Sequence, residues 1–335
     1  MEVITLACGN GGEESSRLIN DLFYKYFGNS ELIKGNDSSI IDINNEKIAV
    51  STDSFVIKPI FFKNGDIGKL SICGTINDLA VSGAIPKYIT VAFVIEEGFL
   101  LKDLEKIVKS ISNEAKNNNV LIISGDTKVV EKGSCDGIYI NTTGIGIIPK
   151  DREVLDYKNI KSGDKIIISG TIGDHGTSIM CEREELGVSS DIKSDCASLY
   201  ELTKQILKCS NNVRVMRDPT RGGLATTLKE LVDSSGMSMR INEEDIPIND
   251  GVYSICDMLG LDPLYVANEG KLICIVSKDD STKVLEVMKS LKVGENSKII
   301  GEVIDDNKKK LYYKTFIGAE RILEKAKGEQ IPRIC

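Results

Sequence analysis

Four aspartates stand beside glycine or other small residues, each at a strand end, in a loop or in a helix. They are Asp53 in Ser51-Thr52-Asp53, Asp78 in Gly74-Thr75-Ile76-Asn77-Asp78, Asp126 in Gly125-Asp126-Thr127-Lys128, and Asp218 in Met216-Arg217-Asp218-Pro219-Thr220-Arg221-Gly222-Gly223. Strand C-termini are where α/β proteins usually place ligands. Magnesium takes oxygen ligands, uses a few carboxylates and completes its shell with water and phosphate oxygens. Taken singly, each aspartate reads as a turn former or helix cap, the commoner role. Together, with Lys128, Arg217 and Arg221 beside them to meet phosphates, they favour a Mg–nucleotide site.

The second reactive feature is the last residue, Cys335, in Pro332-Arg333-Ile334-Cys335 after a polar run from Ala326 to Gln330. A frayed end that happens to carry a thiol is the ordinary reading. The sharper one is a movable arm, since about ten extended residues reach on the order of 33 Å. The adjacent α-carboxylate should hold the thiol near or above ~8.5, with Arg333 offsetting part of this. Such a thiol suits a carrier loaded by another enzyme better than a self-activated nucleophile.

Other signatures are absent. No GxxxxGK[ST] occurs, which excludes a P-loop NTPase, and no GxGxxG follows the first strand. Gly9-Asn10-Gly11-Gly12 is a glycine loop that either folds over phosphates or is only an N-terminal turn.

These residues need elements to position them. Periodicity predicts strands at 46–53, 88–95, 120–124 (a buried one) and 137–148, with helices over 68–83 and 101–116 between them. Pro149 and the charged stretch to about 164 read as a linker. The pattern then restarts with a buried strand at 165–169, the Gly173-Asp174-His175-Gly176 loop and a helix to Leu186. Helices near 198–209 and from the 216–223 loop to Ser235 follow, then strands at 271–276 and 298–304 flanking a helix at 280–291. Alternating strands and helices in both halves give an α/β (α+β) chain. At 335 residues two domains are expected, residues 1–150 and 151–325, with 326–335 as a tail.

Bulk properties narrow the class. A net charge of −8 argues against non-specific nucleic-acid binding, and no stretch approaches a membrane span of about 20 apolar residues. The start has no signal-like block. Nine cysteines at irregular spacing, without CxxC, fit neither a disulfide framework nor a zinc ribbon, so a reducing cytoplasm is expected. Cys73, Cys181, Cys256 and Cys274 read as small core residues.

The order of motifs resembles the HypE family of hydrogenase maturation proteins. That family belongs to the ATP-using superfamily of aminoimidazole ribonucleotide synthetase, selenophosphate synthetase and thiamine-monophosphate kinase. The resemblance covers nearly the whole chain. It runs through the glycine loop, Ser51-Thr52-Asp53-Ser54, Ile67-Gly68-Lys69-Leu70 into Cys73-Gly74-Thr75-Ile76-Asn77-Asp78, and Ser124-Gly125-Asp126-Thr127-Lys128-Val129-Val130. It continues through Gly173-Asp174-His175-Gly176, Arg217-Asp218-Pro219-Thr220-Arg221-Gly222-Gly223, Ala267-Asn268-Glu269-Gly270-Lys271-Leu272 and the terminal Pro-Arg-Ile-Cys. One departure stands out. Family chains usually open with His-Gly-x-Gly-Gly, whereas Cys8 occupies that first position, leaving His175 as the one histidine.

The resemblance implies two domains with mixed sheets and flanking helices, a cleft between them, a flexible tail, and a homodimer joined through the N-terminal sheets. It implies that a carbamoyltransferase, HypF, loads the Cys335 sulfur and that ATP drives dehydration of the carboxamide to a thiocyanate. The cyano group then passes to iron on a HypC–HypD complex for a nickel–iron hydrogenase. Asp53, Asp78, Asp126 and Asp218 would hold Mg2+ and polyphosphate, with Asn77 and Arg221 at the nucleotide. Lys128 would stabilise the transferring phosphoryl group or orient the carbamoyl oxygen. Glu269 is the candidate base, useful near neutral pH only if burial raises its pKa; the alternative is a surface glutamate paired with Lys271. His175 is a second base, a phosphate ligand or a helix cap, and Lys69 either reaches the nucleotide or is a solvated helix lysine. Two other readings stay open here. One is a small-molecule kinase or synthetase resembling selenophosphate synthetase, which Cys8 favours but Glu13 and Glu14 disfavour. The other is a non-catalytic, nucleotide-switched assembly module.

Overall fold

In a computed structural model the structure describes residues 4–9, 11–183, 187 and 190–328. Cys335 therefore lies outside the described residues.

Two sheets divide the chain. The first joins β1 (Ser39–Ile43), β2 (Glu46–Phe55), β3 (Ile85–Glu96), β4 (Leu121–Val130) and β5 (Ile138–Ile148) in the order β1-β2-β5-β3-β4. All its pairings are antiparallel except β3 with β4. The second sheet has seven strands: β6 (Lys165–Ile168), β7 (Val213–Arg217), β8 (Ser238–Asn242), β9 (Ile273–Val276), β10 (Lys298–Ile304), β11 (Leu311–Lys314) and β12 (Glu320–Leu323). Their order is β12-β11-β8-β10-β6-β9-β7, parallel only where β8 meets β11. Strands β6 and β9 are buried runs of Ile and Val, as expected for strands covered on both faces.

The helices of six residues or more are α1 (Glu13–Leu18), α2 (Ile67–Val81), α3 (Leu101–Asn117), α4 (Asp174–Cys181), α5 (Tyr200–Cys209), α6 (Gly223–Ser235), α7 (Asp250–Leu259) and α8 (Lys278–Lys289). Helix α2 is unusual, because only Lys69 and Asp78 of its residues escape full burial. It is apolar nearly all round, which is the pattern of a helix enclosed by other elements rather than one lying on a surface. Asp66 starts it by accepting from the Gly68 and Lys69 N–H groups at 2.7 and 3.0 Å. One side of α2 packs on the first sheet and α3, and the other on α5 and β7 of the second half. Asp78 is thereby held where the two halves meet.

Three expectations change. The buried strand expected at 120–124 is instead exposed, because it is the edge of its sheet, and it runs through Val130, so Gly125-Asp126-Thr127-Lys128 is strand and not loop. The presumed linker is packed: Arg152 Nη1 donates to the Gly83 carbonyl at 2.9 Å, and buried Asp164 pairs with Arg214 at 3.2 Å. Helix α4 ends at Cys181 rather than Leu186. Cys73, Cys256 and Cys274 are core residues as expected, whereas Cys181 is half-buried.

Candidate active site

The two halves and the N-terminal segment enclose a cleft of about 740 Å³. Asp53 enters from β2, Asp78 from α2, Asp218 from just after β7, Arg221 from the loop before α6, and Glu269 from the turn before β9. Ser51 donates to Asp78 Oδ2, and the Asp53 carboxyl lies beside that of Asp78. Both carboxyls are pushed up by burial. For Asp78 the neighbouring Asp218, Asp53 and Asp37 add repulsion. Burial raises Asp218 to about 6, with Asp53 adding to it and Arg217 and Arg221 opposing.

Asp37 and Glu230 belong to this cluster and were not anticipated. Arg217 Nε pairs with Asp37 at 2.6 Å, and its Nη2 lies 3.5 Å from Glu230. Burial drives the Asp37 carboxyl upward against the pull of Arg217. The available signal was weak: a polar Asn36-Asp37-Ser38-Ser39 run just ahead of a strand, and a glutamate on the helix that follows the Arg221 loop. Six carboxyls and two guanidiniums line the cleft, and repulsion among the carboxyls is part of what pushes Asp37, Asp78 and Asp218 upward. Such a site favours a hard cation with oxygen ligands. Among the described residues no three ligating side chains converge into a ready-made metal cage.

Glu269 owes its place to its neighbours. Asn268 donates to the Pro219 and Val266 carbonyls at 2.9 and 3.1 Å and accepts from the Gly173 N–H at 2.8 Å. These bonds tie the turn to the Asp218 loop and to the start of α4. The Glu269 N–H donates to Asp195 Oδ1 at 3.0 Å. At Gly270 a Cβ would sit 1.9 Å from the Asp195 carbonyl oxygen, so only glycine fits there. Lys271 pairs with Asp195 at 3.3 Å, which removes the alternative of a surface Glu269–Lys271 pair. The Glu269 carboxyl is 3% exposed and raised well above its ordinary value by burial, then by Asp218, Asp195 and Asp53.

The other candidates are elsewhere. Asn77 is buried and structural: it donates to the Ala197 and Glu269 carbonyls at 3.1 and 3.2 Å and accepts from the Leu199 N–H at 2.8 Å, stapling the two halves. Lys69 Nζ donates to the Asn64 carbonyl at 2.9 Å, away from the cleft lining. His175 is fully buried in the first turn of α4, bonded through Nδ1 to Ser194 at 2.8 Å and edge-on to Phe62. It does not line the cleft. Asp126 and Lys128 pair with each other at 3.0 Å on the exposed edge of β4, with side chains 62% and 69% exposed. The single chain therefore brings together three of the four aspartates and leaves Asp126 apart. Cys8 is buried and lines the cleft.

Comparison with known proteins gives this arrangement a family. Residues 35–148 match the N-terminal domain, and 161–314 the C-terminal domain, of "AIR synthase related protein". Carbamoyl dehydratase HypE of Cupriavidus necator is 44% identical over 333 residues, covering 99% of this chain and 95% of the relative. The chain belongs to the HypE family. A crystal structure titled as a HypE–HypF complex superposes with a TM-score of 0.87 at 45% identity, covering 92% of this chain and 99% of that one. HypE in complex with ATP gives 0.83 at 41% identity, covering 99% and 100%. The two-domain fold with mixed sheets, flanking helices and an inter-domain cleft is that of these HypE structures.

Proposed function

We propose that this chain is an ATP-dependent carbamoyl dehydratase whose substrate group rides on its own Cys335 sulfur. The amide oxygen of a thiocarbamate is a poor leaving group, and phosphorylation turns it into phosphate, a good one. ATP transfers its γ-phosphoryl group to that oxygen with loss of one nitrogen proton. Loss of the second nitrogen proton forms the C≡N bond and expels phosphate, leaving a thiocyanate on Cys335. The observation that carries this reading is Glu269, a buried carboxyl with a raised pKa in a cleft shared with Asp53, Asp78, Asp218 and Arg221. Glu269 takes the second of these protons, the first leaving to solvent, while Arg221 would face the phosphates. Asp53, Asp78 and Asp218 would hold Mg2+, whose charge neutralises the polyphosphate.

Lys128 and Asp126 have a role in this scheme only if a second chain supplies them. Strand β4 is an unpaired edge with Leu121, Ile123 and Val129 exposed by 63%, 52% and 67%. Long apolar edges are pairing surfaces. In this scheme a homodimer joined along that edge is what supplies Lys128 of one copy to the cleft of the other. HypF is the fitting donor of the carbamoyl group, and the HypC–HypD complex the fitting acceptor of cyanide for a nickel–iron hydrogenase. Eight described cysteines are free, which suits the cytoplasm. Among the described residues no helix is long and apolar enough to cross a membrane.

The test is intact-protein mass spectrometry after loading by HypF. On adding Mg–ATP the C-terminal peptide should lose the mass of one water. A peptide that gains the carbamoyl group and never loses water contradicts the reading.

A further inference from the structure

The N-terminal glycine loop has no part in the chemistry above, yet it makes close contacts at the cleft. Ser15 folds it by accepting from the Gly11 N–H at 2.9 Å and donating to the Cys8 carbonyl at 2.8 Å. Gly11 lies against Arg221, where a Cβ would stand 2.9 Å from that residue's Cβ. On its other side the loop meets the root of the tail. The Ala326 carbonyl accepts from the Glu13 N–H at 3.1 Å, and the Ala326 N–H donates to Thr226 Oγ1 at 3.3 Å. Ala326 is 2% exposed although Lys327 beside it is largely in solvent. A Cβ on Gly12 would fall 2.4 Å from the Ala326 oxygen, so the approach requires glycine. Lys327 also pairs with Glu13 at 3.5 Å, and the Gly328 N–H reaches Glu14 at 3.4 Å. Such exposed contacts contribute little. The glycine loop and Ala326 lie outside residues 35–148 and 161–314, the portions matched by the wider AIR synthase related family, whereas Thr226 lies within the second.

We propose that Gly12, the Glu13 N–H and Thr226 are positioning elements for the tail. They fasten Ala326 beside the Arg221 loop and so set the pivot from which Cys335 is delivered to the cleft. The inference rests on reading Cys335 as the carrier. From Ala326 to Cys335 there are nine residues (335 − 326), a reach of about 30 Å. Without the clasp the pivot moves back to the end of β12 at Leu323, twelve residues from the end (335 − 323). Effective concentration falls as about the −3/2 power of length, so that change alone costs only about 1.5-fold. A larger loss would report the direction in which the clasp launches the tail. The same loop lies against Arg221, so one segment contacts both the Arg221 loop and the tail root.

The test uses full-length protein, loaded on Cys335 by HypF and then given Mg–ATP. Single-turnover loss of water is followed by mass spectrometry, with loading extent and ATP affinity measured in parallel. Thr226→Val should slow dehydration about three- to fivefold, the scale of one lost hydrogen bond, with loading and ATP affinity unchanged. Thr226→Ser, which keeps the hydroxyl, should restore the wild-type rate. Gly12→Ala, which displaces the Ala326 carbonyl, should slow it by about tenfold or more. Wild-type rates in both Thr226→Val and Gly12→Ala overturn the clasp, as does a Thr226→Ser variant as slow as Thr226→Val. A loss of ATP affinity in Thr226→Val that matches its loss of rate also overturns it. A wild-type chain that never loses water overturns the functional reading and the clasp together, whereas a converting wild type with unaffected variants removes the clasp alone.

Discussion

Helix α2 and strand β4 treat the same kind of residue in opposite ways. Asp78 sits on a helix enclosed between the two halves, its carboxyl pushed well up by burial and by Asp218, Asp53 and Asp37. Asp126 sits on an open sheet edge, its carboxyl lowered by hydrogen bonds from Lys128 and the Thr127 backbone. One region has its charges gathered and strained by the chain itself. The other presents a neutralised, solvated pair. Glycine-flanked aspartates thus look alike in sequence while doing different work. Which work they do depends on whether the chain closes over them.

The buried side of this comparison should show the largest effects. Glu269→Gln keeps the shape of the side chain and removes its proton affinity. It should slow dehydration of loaded protein by about 10²–10⁴, with ATP affinity nearly unchanged, in single-turnover mass spectrometry. A loss confined to ATP binding would place Glu269 among the nucleotide contacts instead.

A smaller effect concerns stability. Asp218 titrates at about 6 in the folded chain against an ordinary 3.8. Between those values the folded state holds a proton that the unfolded state has released. Stability contributed by this group is therefore full below about pH 4, is lost as pH rises through about 6, and stays lost above it. Asp218→Asn should raise the melting temperature of the nucleotide-free protein at pH 8, by at most about 3 kcal/mol of stability, and the gain should vanish near pH 4. The same variant should weaken Mg–ATP binding. A variant less stable than wild type at pH 8 would mean that Arg217 and Arg221 outweigh the repulsion.

The smallest effect is expected at Lys69. Its Nζ is engaged by the Asn64 carbonyl and lies off the cleft lining. Lys69→Ala should change ATP affinity by less than about twofold and stability by no more than about 0.5 kcal/mol. A tenfold loss of ATP affinity would return Lys69 to the nucleotide site.

Much of this was legible in the sequence, because the strongest signals were local. Alternation and apolar runs gave β2, β3, α3, β5 and β6 to within a few residues, since each element's own burial sets its period. The Asp53, Asp78 and Asp218 motifs and Glu269 converged as expected. What failed was tertiary. Asp37 carries no motif, and its place is fixed by the distant Arg217. Asn77 looked like a ligand beside Asp78, but its helical turn aims it at the Ala197 and Glu269 carbonyls. His175 belongs to a motif whose glycines let α4 start inside the core, so its ring is enclosed rather than offered. The end of β4 was missed because Gly125 and Asp126 are poor strand formers, kept extended by pairing with β3.

The account turns on the claim that the cleft is built by one chain and completed by the edge strand of another. Subunit complementation tests it most directly. Lys128→Ala and Glu269→Gln proteins, each nearly inactive alone, would be mixed and allowed to exchange subunits, and dehydration measured by mass spectrometry. A mixed dimer then holds one cleft with both an intact Glu269 and the partner's intact Lys128. The account predicts that mixing restores a substantial fraction of wild-type turnover. If the mixture stays as inactive as its components although mixed dimers form, Lys128 does not act across a subunit boundary and the claim is wrong.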